Sequence, residues 1–290
     1  MNTPSDSLNA PVGAAENRPA AILPHEGLHV VHQFLSIDHA AWKALPEEQK
    51  EAGRNALRAV VAEIEALPRT QLLPFSVVNP RADLGFMLLT PDLQAADHYS
   101  KRLKTSLGAG ILEYETGYFS LTERSEYTTS EEDYAKTLQT EESLQAGSPE
   151  FEEKMTAFRY RIAKYLKYRV EPDMPNAAEW PVLCFYPMSK RRDPGQNWYA
   201  SDFAERKRLM EGHARVGRTY SGRVLQLITG STGLDDMEWG VTLLAKTTSE
   251  IKSIVYEMRF DEVSAQYAEF GEFLIGIRMD MDSLCRRIGL

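Results

Sequence analysis

Apolar positions in this chain change period several times, and each change marks an element. Leu28-His-Val-Val-His-Gln-Phe-Leu35 is rich in β-formers and predicts a strand. Leu57, Val60, Val61 and Ile64 then recur at i, i+3, i+4 and i+7, the stripe of an amphipathic helix. Strands are predicted near 70–78 and 83–90, the second being Asp83-Leu-Gly-Phe-Met-Leu-Leu-Thr90, followed by a helix at about 92–106 and a strand near 110–122. The order is βαββαβ.

The second half repeats it. A strand at 182–189 leads to a helix at about 202–216, with Ser201 as its N-cap, Asp202 and Glu205 in its first turn and Gly217 just past its end. Strands at 223–229 and 237–245, a helix from about 248 and a strand at 269–277 complete the set. Corresponding elements are offset by about 155 residues. The prediction is an α+β protein of two ferredoxin-like halves, whose open sheets pack or join edge to edge to bury their apolar faces. Residues 1–26, rich in Ala, Pro, Asn and Ser, read as a mobile tail ahead of halves at 27–125 and 182–290. Between the halves, 126–181 forms a connecting segment. Its strongly acidic part, from about 123 to 155, carries Glu131-Glu-Asp133 and Glu141-Glu142 and reads as solvated and partly helical.

Composition narrows the function classes. At 290 residues and 43% hydrophobic content the chain can bury a substantial core. A formal charge of −9 argues against a nucleic-acid partner, which calls for a basic field. Cys184 and Cys285 are far apart and no Cys-x-x-Cys-His occurs, so neither a disulfide framework nor a covalent c-type heme is indicated, and a cytoplasmic location is expected. No leader pattern is expected at the N-terminus, nor any apolar run near the roughly 20 residues of a membrane span.

The candidate chemistry centres on Cys184-Phe-Tyr-Pro-Met-Ser-Lys-Arg-Arg192. Alternation along a strand puts Tyr186, Met188 and Lys190 on one face and Phe185 and Ser189 on the other. A phenol, a thioether and an ammonium sharing a strand face suggest a site rather than a core. His213 follows Leu209 and Met210 by four and three residues, so it projects from the apolar face of its helix. No second His or Cys stands at zinc spacing; a single histidine suits heme iron, whose porphyrin supplies the equatorial nitrogens. Gln226 shares a face with Val224 and Ile228, where a buried amide needs a partner, either neighbouring backbone or a ligand. Arg259 ends a helix and is read as pairing with Asp261 or Glu262, or as forking onto a ligand carboxylate or phosphate.

These blocks resemble a known family. Cys184–Arg192, Asn197-Trp-Tyr199, the run with His213, Gly217-Arg-Thr-Tyr220, Gln226-Leu-Ile-Thr-Gly-Ser231, Asp235-Asp-Met-Glu-Trp-Gly-Val-Thr242 and Glu257–Gly271 look like the coproheme decarboxylases of the chlorite dismutase superfamily, of the type found in Firmicutes-like bacteria. The likeness is specific over about 182–276 and looser over 27–125, in Asp38-His-Ala-Ala-Trp42, Arg81-Ala-Asp-Leu84 and Gly117-Tyr-Phe-Ser-Leu121. It implies a dimeric α/β barrel protomer, a homopentamer and a peroxide-dependent reaction. In that reaction iron coproporphyrin III, at once substrate and redox cofactor, loses CO2 from two propionates to give heme b.

Carried over residue by residue, the resemblance makes Tyr186 the radical-forming phenol, Lys190 a proton partner, His213 the axial iron ligand and Gln226 the distal residue. Met188, Arg259 and Ser264 match residues around the propionates. Arg169 is a further propionate-binding match, about three residues farther from Tyr186 than the family's pattern. Hydrogen peroxide and a transient contact with coproporphyrin ferrochelatase are the other implied partners. Two alternatives are disfavoured by the same residues. Chlorite chemistry calls for a distal arginine where Gln226 stands, and a heme carrier or sensor has no need of a phenol beside the propionates.

Overall fold

The computed structural model describes residues 20–290; the predicted tail falls mostly on 1–19, outside the described residues. Within 20–26 the Ile22 N–H donates to Asp92 Oδ1 at 2.9 Å. The first half comprises β1 (His29–Ile37), α1 (His39–Ala44), α2 (Glu47–Glu65), β2 (Gln71–Val77), β3 (Leu84–Thr90), α3 (Leu93–Thr105) and β4 (Leu112–Leu121). A connector carries α4 (Glu131–Thr140) and α5 (Pro149–Val170). The second half has β5 (Val182–Lys190), a small hairpin of β6 (Arg192–Asp193) and β7 (Gln196–Asn197), and α6 (Phe203–Arg218). It continues with β8 (Val224–Gly230), β9 (Trp239–Ala245), α7 (Thr248–Met258), α8 (Glu262–Tyr267), β10 (Ala268–Phe270), β11 (Leu274–Arg278) and α9 (Met281–Ile288).

Strand pairing gives the two halves one plan. The first sheet runs β2-β3-β1-β4 and the second β11-β5-β9-β8, all antiparallel, which is the ferredoxin-like order twice over. β4 then meets β8 at Leu121–Gly230, and β11 meets β2 from Gly276–Val77 to Arg278–Phe75. Both seams together close the sheets into a barrel and leave β10 as a short extension along β5. Closure removes the open edges that each half alone would expose.

Alternation along the strands sorts the apolar side chains into three layers. Inside the barrel lie Val30, Phe34, Phe75, Met87 and Leu89 of the first half with Leu183, Phe185, Leu227, Leu244 and Leu274 of the second. Phe75 occupies space that only glycine leaves: a Cβ on Gly85 or Gly276 would come within 2.2 or 2.5 Å of its ring. The predicted stripe Leu57, Val60, Val61 and Ile64 covers the outer face of the first sheet, joined by Tyr99 and Leu103 of α3. C-terminal α9 crosses back to the same layer with Leu284, Cys285 and Ile288. A third layer, over the second sheet, holds Val182, Cys184, Tyr186, Val241 and Leu243 beneath Ile251 and Ile254 of α7.

Four details differ from expectation. The N-cap of α6 is Asp202, whose side chain accepts the Glu205 N–H at 2.9 Å, while Ser201 closes the preceding turn through its N–H to Trp198 O. Gly217 lies inside α6, which runs on to Arg218; a Cβ there would come within 3.3 Å of the Gln226 and Met258 side chains. The strand expected at 269–277 is split into β10 and β11, both paired to β5. The acidic connector is partly helical, as expected, but rather than being solvated throughout it has its own small core of Leu138, Phe151 and Met155. Among the described residues no helix is long and apolar enough to cross a membrane.

Candidate functional site

The face predicted on β5 exists. Tyr186 belongs to the third layer and Met188 packs against it, whereas Phe185 points into the barrel. The Tyr186 ring stacks on Phe273 at 4.2 Å between centroids and meets Phe270 at 5.8 Å. Burial pushes its phenol above the usual range, Cys184 adds to this, and the Arg259 charge opposes it. A neutral O–H is therefore its resting form.

Lys190 ends the same face and is 8% exposed. Its ammonium lies 4.8 Å from the centroid of the Trp198 ring, and it forms no ion pair among the described residues. Desolvation lowers its pKa to about 8, against the opposing charges of Asp261 and Glu238.

Helix α6 packs against α8 and carries His213. Its Nδ1 stands 3.0 Å from Asp261 Oδ2. Asp261 caps α8 by accepting the N–H groups of Val263 and Ser264 at 3.1 and 3.2 Å. Burial raises the Asp261 carboxyl, but hydrogen bonds from His213 and Ser264 outweigh this and hold it below the ordinary range. With Nδ1 so engaged, Nε2 is the ring nitrogen left for a ligand, the arrangement by which a buried carboxylate orients a metal-binding histidine. Ser264 is buried in the first turn of α8.

Gln226 takes the backbone alternative: its Nε2 donates to Gly217 O of α6 at 3.0 Å. Arg259 takes neither predicted acid. Asp261 is engaged by His213 and Glu262 by Arg208, while Glu257 accepts the Tyr220 hydroxyl at 2.6 Å. The exposed guanidinium instead lies 3.9 Å from the Phe270 ring centroid, next to Tyr186. Arg169, at the end of α5, has a buried Nε without a hydrogen-bond partner among the described residues; its charge acts on Glu123, and its neighbour Tyr168 donates to Gln226 O at 2.9 Å.

Three contributors escaped the sequence reading. Asp261 was read as an arginine partner because it is adjacent to Arg259, whereas His213 is 48 residues away. Trp198 and Glu238 stood inside family-like blocks without a role. A cavity of about 520 Å³ lies elsewhere, at one end of the barrel between Phe34, Asp83, Glu115 and Leu274. It contains none of the chemically distinctive groups above. The titratable groups gathered by β5, α6 and α8 mark the candidate site instead.

These side chains suit a flat, aromatic, multiply carboxylated ligand with an electrophilic centre. Arg259 and Lys190 offer cationic donors that have no carboxylate ion-pair partner among the described residues, Phe270 and Phe273 offer rings, and His213 offers a fixed nitrogen.

Comparison with known proteins agrees in family and fold. Residues 50–279 match the chlorite dismutase family model. Coproheme decarboxylase of Thermus thermophilus is 36% identical over 268 residues, 91% of this chain and 95% of that one. Proteins of Natronomonas pharaonis and Halobacterium salinarum named for heme binding are each 36% identical, and the chain spans 40% and 48% of their lengths. A solved heme-binding protein from Thermus thermophilus superposes with a TM-score of 0.75 at 36% identity, covering 91% of this chain and 96% of that one. A chlorite dismutase variant from Candidatus Nitrospira defluvii, at 17% identity and a TM-score of 0.68 over 92% of this chain and 97% of that one, shares the fold. The chain belongs to the chlorite dismutase family.

Proposed function

Taking that membership as premise, we propose that the protein is a coproheme decarboxylase of heme biosynthesis, converting two propionates of iron coproporphyrin III to vinyl groups with hydrogen peroxide as oxidant. The observation that carries this reading is the single strand face holding Tyr186, Met188 and Lys190, together with a histidine whose Nδ1 is fixed by Asp261, the carboxylate whose charge also acts on Lys190. Bound iron porphyrin supplies the redox centre on which peroxide is reduced. His213 would hold the iron through Nε2. Arg259 and Ser264 would receive propionates, Met188 would line the porphyrin, and Gln226 would exchange its bond to Gly217 O for the ligand. Arg169 would serve a further propionate from the end of α5.

Tyr186 gives up a hydrogen atom and takes one from the propionate β-carbon, a step suited to a phenol kept neutral by burial. Loss of CO2 and one further electron from the substrate then leaves the vinyl group. Per propionate the acid releases CO2, two protons and two electrons, and hydrogen peroxide takes up these protons and electrons to become two waters. Lys190 holds a proton beside this exchange, and Trp198 keeps its ammonium in place without neutralising it. The enclosing aromatic rings exclude water from the phenol. A cytoplasmic homopentamer in transient contact with coproporphyrin ferrochelatase completes the proposal.

The test is to load the protein with iron coproporphyrin III, titrate hydrogen peroxide and follow porphyrin mass by liquid chromatography and mass spectrometry. A three-propionate intermediate followed by heme b is the expected course. Bound coproheme that survives unaltered would replace this reading with a heme carrier or sensor; the Natronomonas and Halobacterium relatives are named for heme binding alone.

A further inference from the structure

Glu238 is the least exposed carboxylate of the second half's site region, 4% accessible, and the reaction above gives it no part. It lies in the Asp235-Asp-Met-Glu-Trp-Gly stretch just before β9. Its Oε2 accepts the Lys190 backbone N–H at 2.8 Å. Its Oε1 accepts the Tyr199 hydroxyl at 2.6 Å and also pairs with the Arg192 guanidinium. The Glu238 backbone N–H in turn bonds Met188 O at 3.0 Å and Ser189 Oγ at 3.2 Å. One buried anion therefore ties the end of β5, the start of β9 and the residues that follow the β6–β7 hairpin.

These ties meet at Lys190. The main chain of Lys190 is bound directly to Glu238, and Trp198, the ring beneath its ammonium, immediately precedes Tyr199, which the same carboxylate holds. Trp198 is itself wedged against Leu209 of α6 and Val263 of α8. We infer that Glu238 is a positioning residue for Lys190, fixing the lysine from its backbone end and, through Tyr199 and Trp198, from its ammonium end. The carboxylate does so without forming an ion pair with the amine, so Lys190 keeps its proton available to a substrate. A carboxylate buried only for packing would have no reason to gather donors from both sides of one catalytic lysine. The inference rests on the proposed function for what Lys190 does, but not for where Lys190 is held.

The experiment labels the ligand-free protein with trace acetic anhydride and quantifies acetylation of Lys190 by peptide mass spectrometry, with exposed Lys246 as internal reference. Loss of a charged hydrogen-bonding group should release Lys190, so its labelling rises about tenfold in Glu238→Gln and about threefold in the milder Tyr199→Phe, with Lys246 unchanged. In the coproheme-loaded variants the rate of CO2 loss should fall in the same order while coproporphyrin affinity stays within about twofold of wild type. Unchanged Lys190 labelling in both variants, or a rise matched by Lys246, would overturn the inference. Should the wild-type protein fail to release CO2 while the labelling shifts as expected, the functional reading falls and the positioning role stands.

Discussion

The two halves share one topology and use it in opposite ways. Over the first sheet, α2, α3 and α9 lay Leu57, Ile64, Leu103 and Leu284 onto Leu35, Leu84 and Phe86, and all of these side chains are fully buried. Over the second sheet, α7 packs with Ile251 and Ile254, but α6 turns Leu209 toward Trp198 and Val263 and presents Gly212 and His213 along the rest of its length. Met188, Ile228, Phe270, Phe273 and Ile275 are correspondingly only partly buried. A layer filled by side chains is a core; the same layer left incomplete is a binding site. Duplication of a small α+β unit thus provides both a scaffold and a place for a ligand, and the shared barrel interior keeps them in register.

That contrast can be broken by mutation, starting with the largest effect. Tyr186→Phe is expected to lower decarboxylation by about a thousandfold or more while coproheme still binds, read by porphyrin mass analysis. Leu57→Ala, in the filled layer, should do the reverse, lowering unfolding free energy by roughly 3 kcal/mol in urea titration with turnover per folded molecule unchanged.

A pH effect separates the halves further. Inside the barrel His32 is fully buried, stacks on Phe185 at 4.0 Å between centroids and bonds Thr242 Oγ1 across the two halves at 2.9 Å. Desolvation lowers its pKa to about 3 from 6.5. Below 6.5 the unfolded chain takes up a proton that the folded chain refuses, so stability falls as pH drops from 6.5 toward 3 and is complete above 6.5. Denaturant midpoints should show a loss of about 2 kcal/mol between pH 6.5 and 5, and His32→Gln should flatten that slope. In the second half the pH effect concerns activity. Lys190 is protonated below about 8, so with Asp261 and Glu238 as the charges facing it the decarboxylation rate should decline as pH rises through 8. The smallest effect is on affinity: Arg259→Ala should weaken coproporphyrin binding about tenfold in fluorescence titration, as one charge-assisted contact is lost.

Much of this contrast was legible in the chain. Runs of β-forming residues located the barrel strands to within about two residues, apart from the split β10–β11 stretch, and the Leu57–Ile64 stripe identified the filled layer. The face of Tyr186, Met188 and Lys190 followed from strand alternation alone. What escaped depended on long-range pairing. Edge-to-edge joining of the sheets was expected, but which strands form the seams, β4–β8 and β2–β11, has no local signal, nor does the crossing of α9 to the opposite half. Arg259 sits beside two acids in sequence, yet helix geometry turns Asp261 to His213 and Glu262 to Arg208. Gly217 read as a helix stop, whereas it lies inside α6, where its carbonyl accepts from Gln226 and an added Cβ would crowd the Gln226 and Met258 side chains. His32 looked like an ordinary strand residue because nothing in β1 itself says that Thr242 will face it.

The most direct measurement is hydrogen exchange by mass spectrometry on the protein with and without iron coproporphyrin III. The account predicts that protection on binding is concentrated in residues 182–190, α6, α7 and α8, with α2, α3 and α9 unchanged. Protection centred on the barrel-end cavity between Phe34 and Leu274, or spread evenly over both halves, would contradict it.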